Sequence, residues 1–320
     1  MRRREFIALM SASVAWPFAA SAQEPGRTYH VGLVSPVVCE TKLTVAFQHE
    51  LRSLGFIKDQ NLTIDCRVAR NVDLTSQYAA DLVKDRVDAI VTYGEAATRA
   101  AQQATKTIPL VAATENMVGS GLVSSLARPN GNTTGVSILA AELDGKRQDI
   151  LTEAVPGLGR MAALADANIT NTKLDALQTA AQAHDVELSI HRVGSGDEIV
   201  TAIDMAQASG ATALNVLASP LLAANRQLIM SRVAALRLAA IYEWPENAED
   251  GGFAAYGPRI REIALELARQ LAKVLRGTKV ADIPVEQPTK FELVINLKTA
   301  KALGVTVPEA LLVRADKVIE

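Results

Sequence analysis

The stretch "DAIVTYGEAATRAAQQATKTIPLVAAT" (88–114) decides the fold. Two short apolar runs, 88–94 and 108–114, flank a segment of helical period. The runs are continuous rather than alternating, which is how strands covered on both faces read. A strand, a helix and a second strand of this kind form a crossover unit, which sets the strands parallel and turns right-handed.

The same unit recurs in both directions along the chain. "HVGLVS" (30–35) and "LTIDCRV" (62–68) precede it, and "TTGVSIL" (133–139) follows. After "EAVPGLGR" the pattern restarts with "MAALADA" (161–167), "VELSIHRV" (186–193), "ALNVLAS" (213–219), "AAIYEW" (239–244) and "GFAAYG" (252–257). Between the runs the period is helical: Ile260, Ile263, Ala264, Leu267, Leu271, Val274 and Leu275 make one stripe, with Gly277 as a stop. Ten strands exceed one comfortable sheet. The predicted fold is α/β, two Rossmann-like lobes with parallel sheets of about five strands each.

The chain opens "MRRREFIALMSASVAWPFAASAQ". Its apolar centre is too short and too interrupted to span a membrane, which takes about 20 residues. A basic start, a short apolar run and the small residues Ala20-Ser21-Ala22 predict a signal peptide over 1–22, and Arg3-Arg4 before Phe6-Ile7 fits the twin-arginine type. Cleavage after Ala22 would release a mature chain into the periplasm. That chain holds 30 basic and 34 acidic residues, which gives no reason to expect a nucleic-acid partner. No later apolar run is long enough to span a membrane.

The motifs of enzymes are missing where they would stand. No G-x-G-x-x-G follows the first strand, which ends "SPVVCE", and no phosphate loop or G-x-S-x-G elbow occurs. "GSG" at 119–121 and 194–196 reads as flexible turns. His30, His49, His184 and His191 do not pair with other ligands at metal spacing. No catalytic residue, metal or cofactor is therefore expected. Cys39 and Cys66 are the two cysteines. Adjacent first and second strands would bring them near one another, which leaves open either a disulfide or two separate thiols.

In open parallel sheets the ligand crevice lies beyond the carboxyl ends of the strands, where helix N-termini also point. The candidates there are Ser35, Pro36, Cys39, Tyr93, Gly94, Glu95, Thr114, Glu115, Asn116, Asp166, Asn168, Ser219, Pro220, Glu243, Trp244 and Tyr256. The chain after residue 22 has ten aromatic residues, and Tyr93, Tyr242, Trp244 and Tyr256 fall at or near strand ends. That favours a stacking pocket, although Tyr242 and Glu243 must face opposite ways. The carboxylates and aromatic faces suit an ammonium. No Lys or Arg stands at a strand end, though Arg99 lies one helical turn in. A small amine-bearing or zwitterionic solute, such as an amino acid, is expected.

The tail "IPVEQPTKFELVINLKTAKALGVTVPEALLVRADKVIE" (283–320) resembles the C-terminal signature of a large group of bacterial ABC-transporter substrate-binding proteins. "FQHELRSLGF" (47–56), "SSLARPNGNTTGVS" (124–137) and "AIYEWPENAEDGGFAAYGP" (240–258) resemble the same group. The resemblance implies type I periplasmic-binding-protein architecture, with lobes joined by three crossing segments that close on a solute. Lobe one would take 28–141 and 257–281, lobe two 142–256 and 282–320. It also implies a monomeric receptor whose partners are its solute and an inner-membrane ABC permease. The chain departs from the pattern at Asn116-Met117-Val118, where many relatives read Asp-Pro-Val, and at Ser219-Pro220, where they often read Asp-Pro. Alternatives from other classes are an exported α/β enzyme, which solute turnover would reveal, and a sensor module presenting solute to a membrane receptor.

Overall fold

A computed structural model of the chain describes residues 26–35, 39–69 and 72–320. The signal segment 1–22 and Pro36 lie outside the described residues. Strands β1 (Tyr29–Ser35), β2 (Leu62–Val68), β3 (Ala89–Tyr93), β4 (Leu110–Thr114) and β5 (Thr133–Ser137) form one sheet in the order β2-β1-β3-β4-β5. All its pairs are parallel. The second sheet joins β6 (Arg160–Asp166), β7 (Glu187–Val193), β8 (Ala213–Val216), β9 (Ala239–Tyr242), β10 (Ala254–Gly257), β11 (Glu292–Asn296) and β12 (Lys317–Ile319), in the order β12-β11-β10-β9-β8-β6-β7.

The ten predicted strands are all present, but the second sheet has seven strands rather than five. The tail supplies the other two. β11 runs antiparallel to β10, with Tyr256 opposite Leu293, and β12 adds parallel to β11.

The helices are α1 (Lys42–Ser53), α2 (Val72–Lys84), α3 (Glu95–Ala104), α4 (Ala140–Ala154), α5 (Asn171–Gln182) and α6 (Ile199–Ala208). They continue with α7 (Pro220–Ala224), α8 (Arg226–Ala235), α9 (Pro245–Glu249), α10 (Ile260–Leu275), α11 (Leu297–Leu303) and α12 (Glu309–Arg314). Alternate residues of β3 serve opposite layers, which is why the run is apolar throughout. Ala89 and Val91 pack under α1 and α10, while Ile90 packs with Leu82 of α2 and Ala97 of α3. The predicted stripe on α10 is buried in the first of these layers through Ile263, Ala264, Leu267, Leu271, Val274 and Leu275.

The chain passes between the lobes three times. It leaves β5 for α4, which packs on β8, β9 and β10. It leaves β10 for α10, which returns to α1 and β5. It crosses last after Glu286. Up to that point it stays with the first lobe: the Glu286 amide donates to the Gly135 carbonyl at 2.9 Å, and the Ser137 amide donates to the Glu286 carbonyl at 2.9 Å. Backbone pairing with β5 thus carries the first lobe a few residues past 281. Cys39 and Cys66 are joined in a disulfide with Cα atoms 6.0 Å apart, tying the end of β2 to the segment after β1.

Candidate functional site

The carboxyl ends of the two sheets face each other, and side chains already meet across the gap. Lys42 at the start of α1 pairs with Asp250 of the second lobe at 2.8 Å. Gly94, between β3 and α3, has a φ of 85°, and a Cβ there would lie 2.6 Å from Cγ of Pro220 on α7. Only glycine permits both that backbone and that approach. Trp244 leaves the second sheet after β9 yet packs against the core of the first lobe.

On the first lobe, Ser35 ends β1 and is fully buried. Tyr93 ends β3; burial pushes its phenol pKa up, and its hydroxyl has no hydrogen-bond partner. Thr114 ends β4, 1% exposed, and its Oγ1 is likewise without a partner. Asn116 turns back on its own loop, its Oδ1 accepting from the Gly119 amide at 2.7 Å. Glu95 is also occupied: Arg99 donates to one oxygen and the Ser120 hydroxyl to the other, both at 2.7 Å. Burial raises its pKa, but those two hydrogen bonds outweigh it and hold the carboxyl below its usual range.

On the second lobe, Asp166 accepts from the backbone and side-chain nitrogens of exposed Asn168 at 2.8 and 2.9 Å. Ser219 caps α7, accepting from the Leu222 amide at 3.1 Å. Tyr256 lies in β10 with its ring against the second lobe's own core and 6.3 Å from that of Phe291. Tyr242 is buried in the opposite layer of that lobe. The predicted candidates thus divide. Glu243 and Trp244 border a cavity at the gap, and Tyr93 and Thr114 keep unpaired buried hydroxyls, whereas Glu95, Asn116, Asp166, Asn168 and Ser219 are engaged locally and the rings of Tyr93 and Tyr256 pack on the cores of their own lobes.

The most buried charge of the site is absent from the sequence list. Arg147 on α4 is 1% exposed. Its guanidinium pairs with Asp144 one turn earlier and donates to the Tyr256 carbonyl at 3.1 Å, but its Nε has no partner. Asp144 also accepts from the Ala218 amide at 3.2 Å. Arg147 shares a face of α4 with Leu143, Ile150, Leu151 and Ala154, all buried. A basic residue inside an apolar stripe is the signal that marks it.

Glu243 is half-buried as a residue, but its carboxyl lies deep. Burial raises its pKa to about 8, against the partial pull of Arg147 and with the added push of Asp144 and Glu115. Burial also raises Glu115, with Lys173 of α5 pulling back from across the gap. Arg147, Glu243 and Trp244 border a common cavity of about 10 Å³, room for one water-sized sphere. Among the described residues, no three His, Cys, Asp or Glu side chains converge as a metal site, and no helix is long and apolar enough to cross a membrane. The arrangement suits holding a small polar guest between two lobes that close on it.

Comparison with known proteins agrees with this geometry. The family model for ABC transporter substrate binding proteins matches residues 40–319. The tyrosine-binding protein of Clostridioides difficile is 28% identical over 269 residues, 82% of this chain and 76% of that protein. A conserved domain protein of Vibrio cholerae superposes with a TM-score of 0.81 at 24% identity, covering 91% of this chain and all of that one. The ABC domain of Streptococcus pneumonia in complex with L-Trp gives 0.79 at 23% identity, covering 91% and 100%. These likenesses establish the type I periplasmic-binding-protein fold.

Proposed function

The chain belongs to the ABC transporter substrate-binding protein family, and from that membership we propose that it is the exported, non-enzymatic receptor of an importer, seizing a small amine-bearing or zwitterionic solute in the cleft between its lobes. The observation that carries this reading is the set of cleft groups left without partners inside the protein. Tyr93 Oη, Thr114 Oγ1 and Arg147 Nε are unpaired there, and the Glu243 carboxyl, which accepts from Trp244, borders a small cavity with Arg147. A buried polar atom costs about 1–3 kcal/mol when unsatisfied, so a polar guest gains by supplying the missing bonds. The names of the relatives support the same solute class, one being tyrosine-binding and another held with L-Trp.

Residues 1–22 serve as a twin-arginine signal cleaved after Ala22, and the mature protein works in the periplasm as a monomer that docks on an inner-membrane permease. Lobe one comprises 28–141 and 258–286 and lobe two 142–257 and 287–320, because Gly257 ends β10 of the second sheet and Glu286 still pairs with β5 of the first. Intact mass of periplasmic protein checks the processing: a chain beginning at Gln23 is expected, and retention of 1–22 contradicts it. A thermal-shift screen against amino acids, amines, aromatic acids and sugars tests the function. Stabilisation by nitrogen-bearing solutes is expected; stabilisation only by nitrogen-free acids overturns the solute class.

A further inference from the structure

α10 packs its body into the core of the first lobe, yet its start is gripped by carboxylates of the second. Arg259, the N-cap of α10, donates to Glu292 at the start of β11 at 2.7 Å and to Glu249 at the end of α9 at 2.8 Å. The next residue, Ile260, donates its amide to Glu246 of α9 at 3.2 Å. We propose that this carboxylate socket is the pivot on which the first lobe turns, and that Arg259 is the positioning residue that confines the turn to one arc. The proposal rests on the receptor reading of the cleft and adds which side chains guide its closure.

Chain connectivity separates the socket from the other contacts between lobes. Arg259 lies two residues beyond Gly257, the end of β10, so it stays within about 7 Å of that strand at any lobe angle. Glu292 opens β11 directly after the third crossing. Two of the crossings thus meet at one guanidinium. On the first sheet the crossings attach at β5, an edge strand, where Glu286 also pairs; on the second they join at β10 and β11. β2 and β7 are the opposite edges. A rotation about the socket therefore moves those edges most and the socket bonds least. The Gly94–Pro220 approach, from β3 to the segment after β8, lies two strands in from β5 and from β10 and must part on opening.

The socket is also built to fix direction. Arg259 places Nε and Nη2 on one carboxylate and Nη1 on the other. A planar fork held on two sides cannot swing as a single ion pair can. Both acceptors are themselves anchored, Glu292 by Lys290 at 2.7 Å and Glu249 by Lys317 of β12 at 2.8 Å. α9 is fixed to its own lobe, because Asn296 of β11 donates Nδ2 to the Ala248 carbonyl at 3.0 Å, with both residues buried. The second lobe thus offers a rigid seat, and the buried stripe of α10 carries its orientation into the first lobe.

The test measures lobe separation in the solute-free mature protein by electron–electron double resonance. Exposed Ser76, in α2 after β2, and exposed Asp197, just after β7, are replaced by cysteine and spin-labelled without reductant; the native cysteines are bridged and take no label. The otherwise unaltered protein should give narrow distances. Arg259→Met should broaden the distribution beyond them, Arg259→Lys, which keeps the charge but not the fork, less so, and Glu249→Gln should broaden it slightly. Lys42→Ala should change only the weights of the existing distances. Circular dichroism checks that each variant is folded, and if Arg259→Met is not, Arg259→Lys and Glu249→Gln decide. An unchanged width in the folded Arg259 variants, or a mere change of weights like that of Lys42→Ala, overturns the pivot and leaves the receptor reading intact. A single fixed distance in every variant, Lys42→Ala included, would remove the hinge and the receptor reading with it.

Discussion

Arg147 is a buried charge that the fold uses and that the proposed receptor would use as well. It holds Asp144, reaches the Tyr256 carbonyl and keeps one N–H for the cleft. Truncating one partner of a buried pair strands the other, at a cost of about 3–5 kcal/mol. Arg147→Ala should therefore lower the urea-unfolding free energy by that amount. Arg147→Met with Asp144→Leu should recover most of the stability and still lose solute binding, and full recovery of binding would deny Arg147 its role. Glu243 makes a second prediction. Its folded pKa lies above its unfolded one, so the protonated native form gains stability at acid pH that is lost as pH rises toward 8. Solute-free protein should become less stable from pH 5 to 8, with a shallower slope in Glu243→Gln. Trp244→Ala and Tyr93→Ala should weaken solute binding more than Glu95→Gln, because Glu95 is already satisfied by Arg99 and Ser120. Strand-end position leads to Glu243, Trp244 and Thr114 as candidates. It could not find Arg147, which sits on a helix, nor tell that Tyr256 points its ring into its own lobe, since facing depends on the phase of each strand.

At the scale of elements, the legible strands were those sandwiched between helix layers. Their continuous apolar runs follow from local composition alone, as in β3 and β4. β11 was harder, because its apolar core Leu293-Val294-Ile295 is only three residues between Glu292 and Asn296, and its partner β10 is antiparallel. β12 is a three-residue edge that exists through its pairing with β11. Such elements are fixed by tertiary pairing rather than by their own pattern. The Cys39–Cys66 bridge acts at this scale too. It closes a loop of sequence separation 27 around α1, which should contribute about 2–4 kcal/mol. Cys39→Ser with Cys66→Ser should lower the unfolding free energy by that much, and exported protein denatured without reductant should titrate no thiols. Two free thiols would show that the bridge does not form.

At the scale of the molecule, the contacts between lobes define a closed form. Trp244 packs on the far core, Pro220 meets Gly94, and Lys42 joins Arg226 on Asp250. The Lys42 pair is partly exposed and worth about 0.2–1 kcal/mol. Lys42→Ala should therefore favour the open form by a few-fold at most and weaken solute binding by the same factor, with no loss of either lobe's fold. As a hinged receptor, the protein should close its lobes on a small solute. Small-angle scattering of the mature protein, free and then saturated with the most stabilising compound of the solute screen, tests it directly. The bound protein should have a smaller radius of gyration, matching the closed arrangement of the two sheets. Identical profiles at saturation, with the free protein already open, would contradict it.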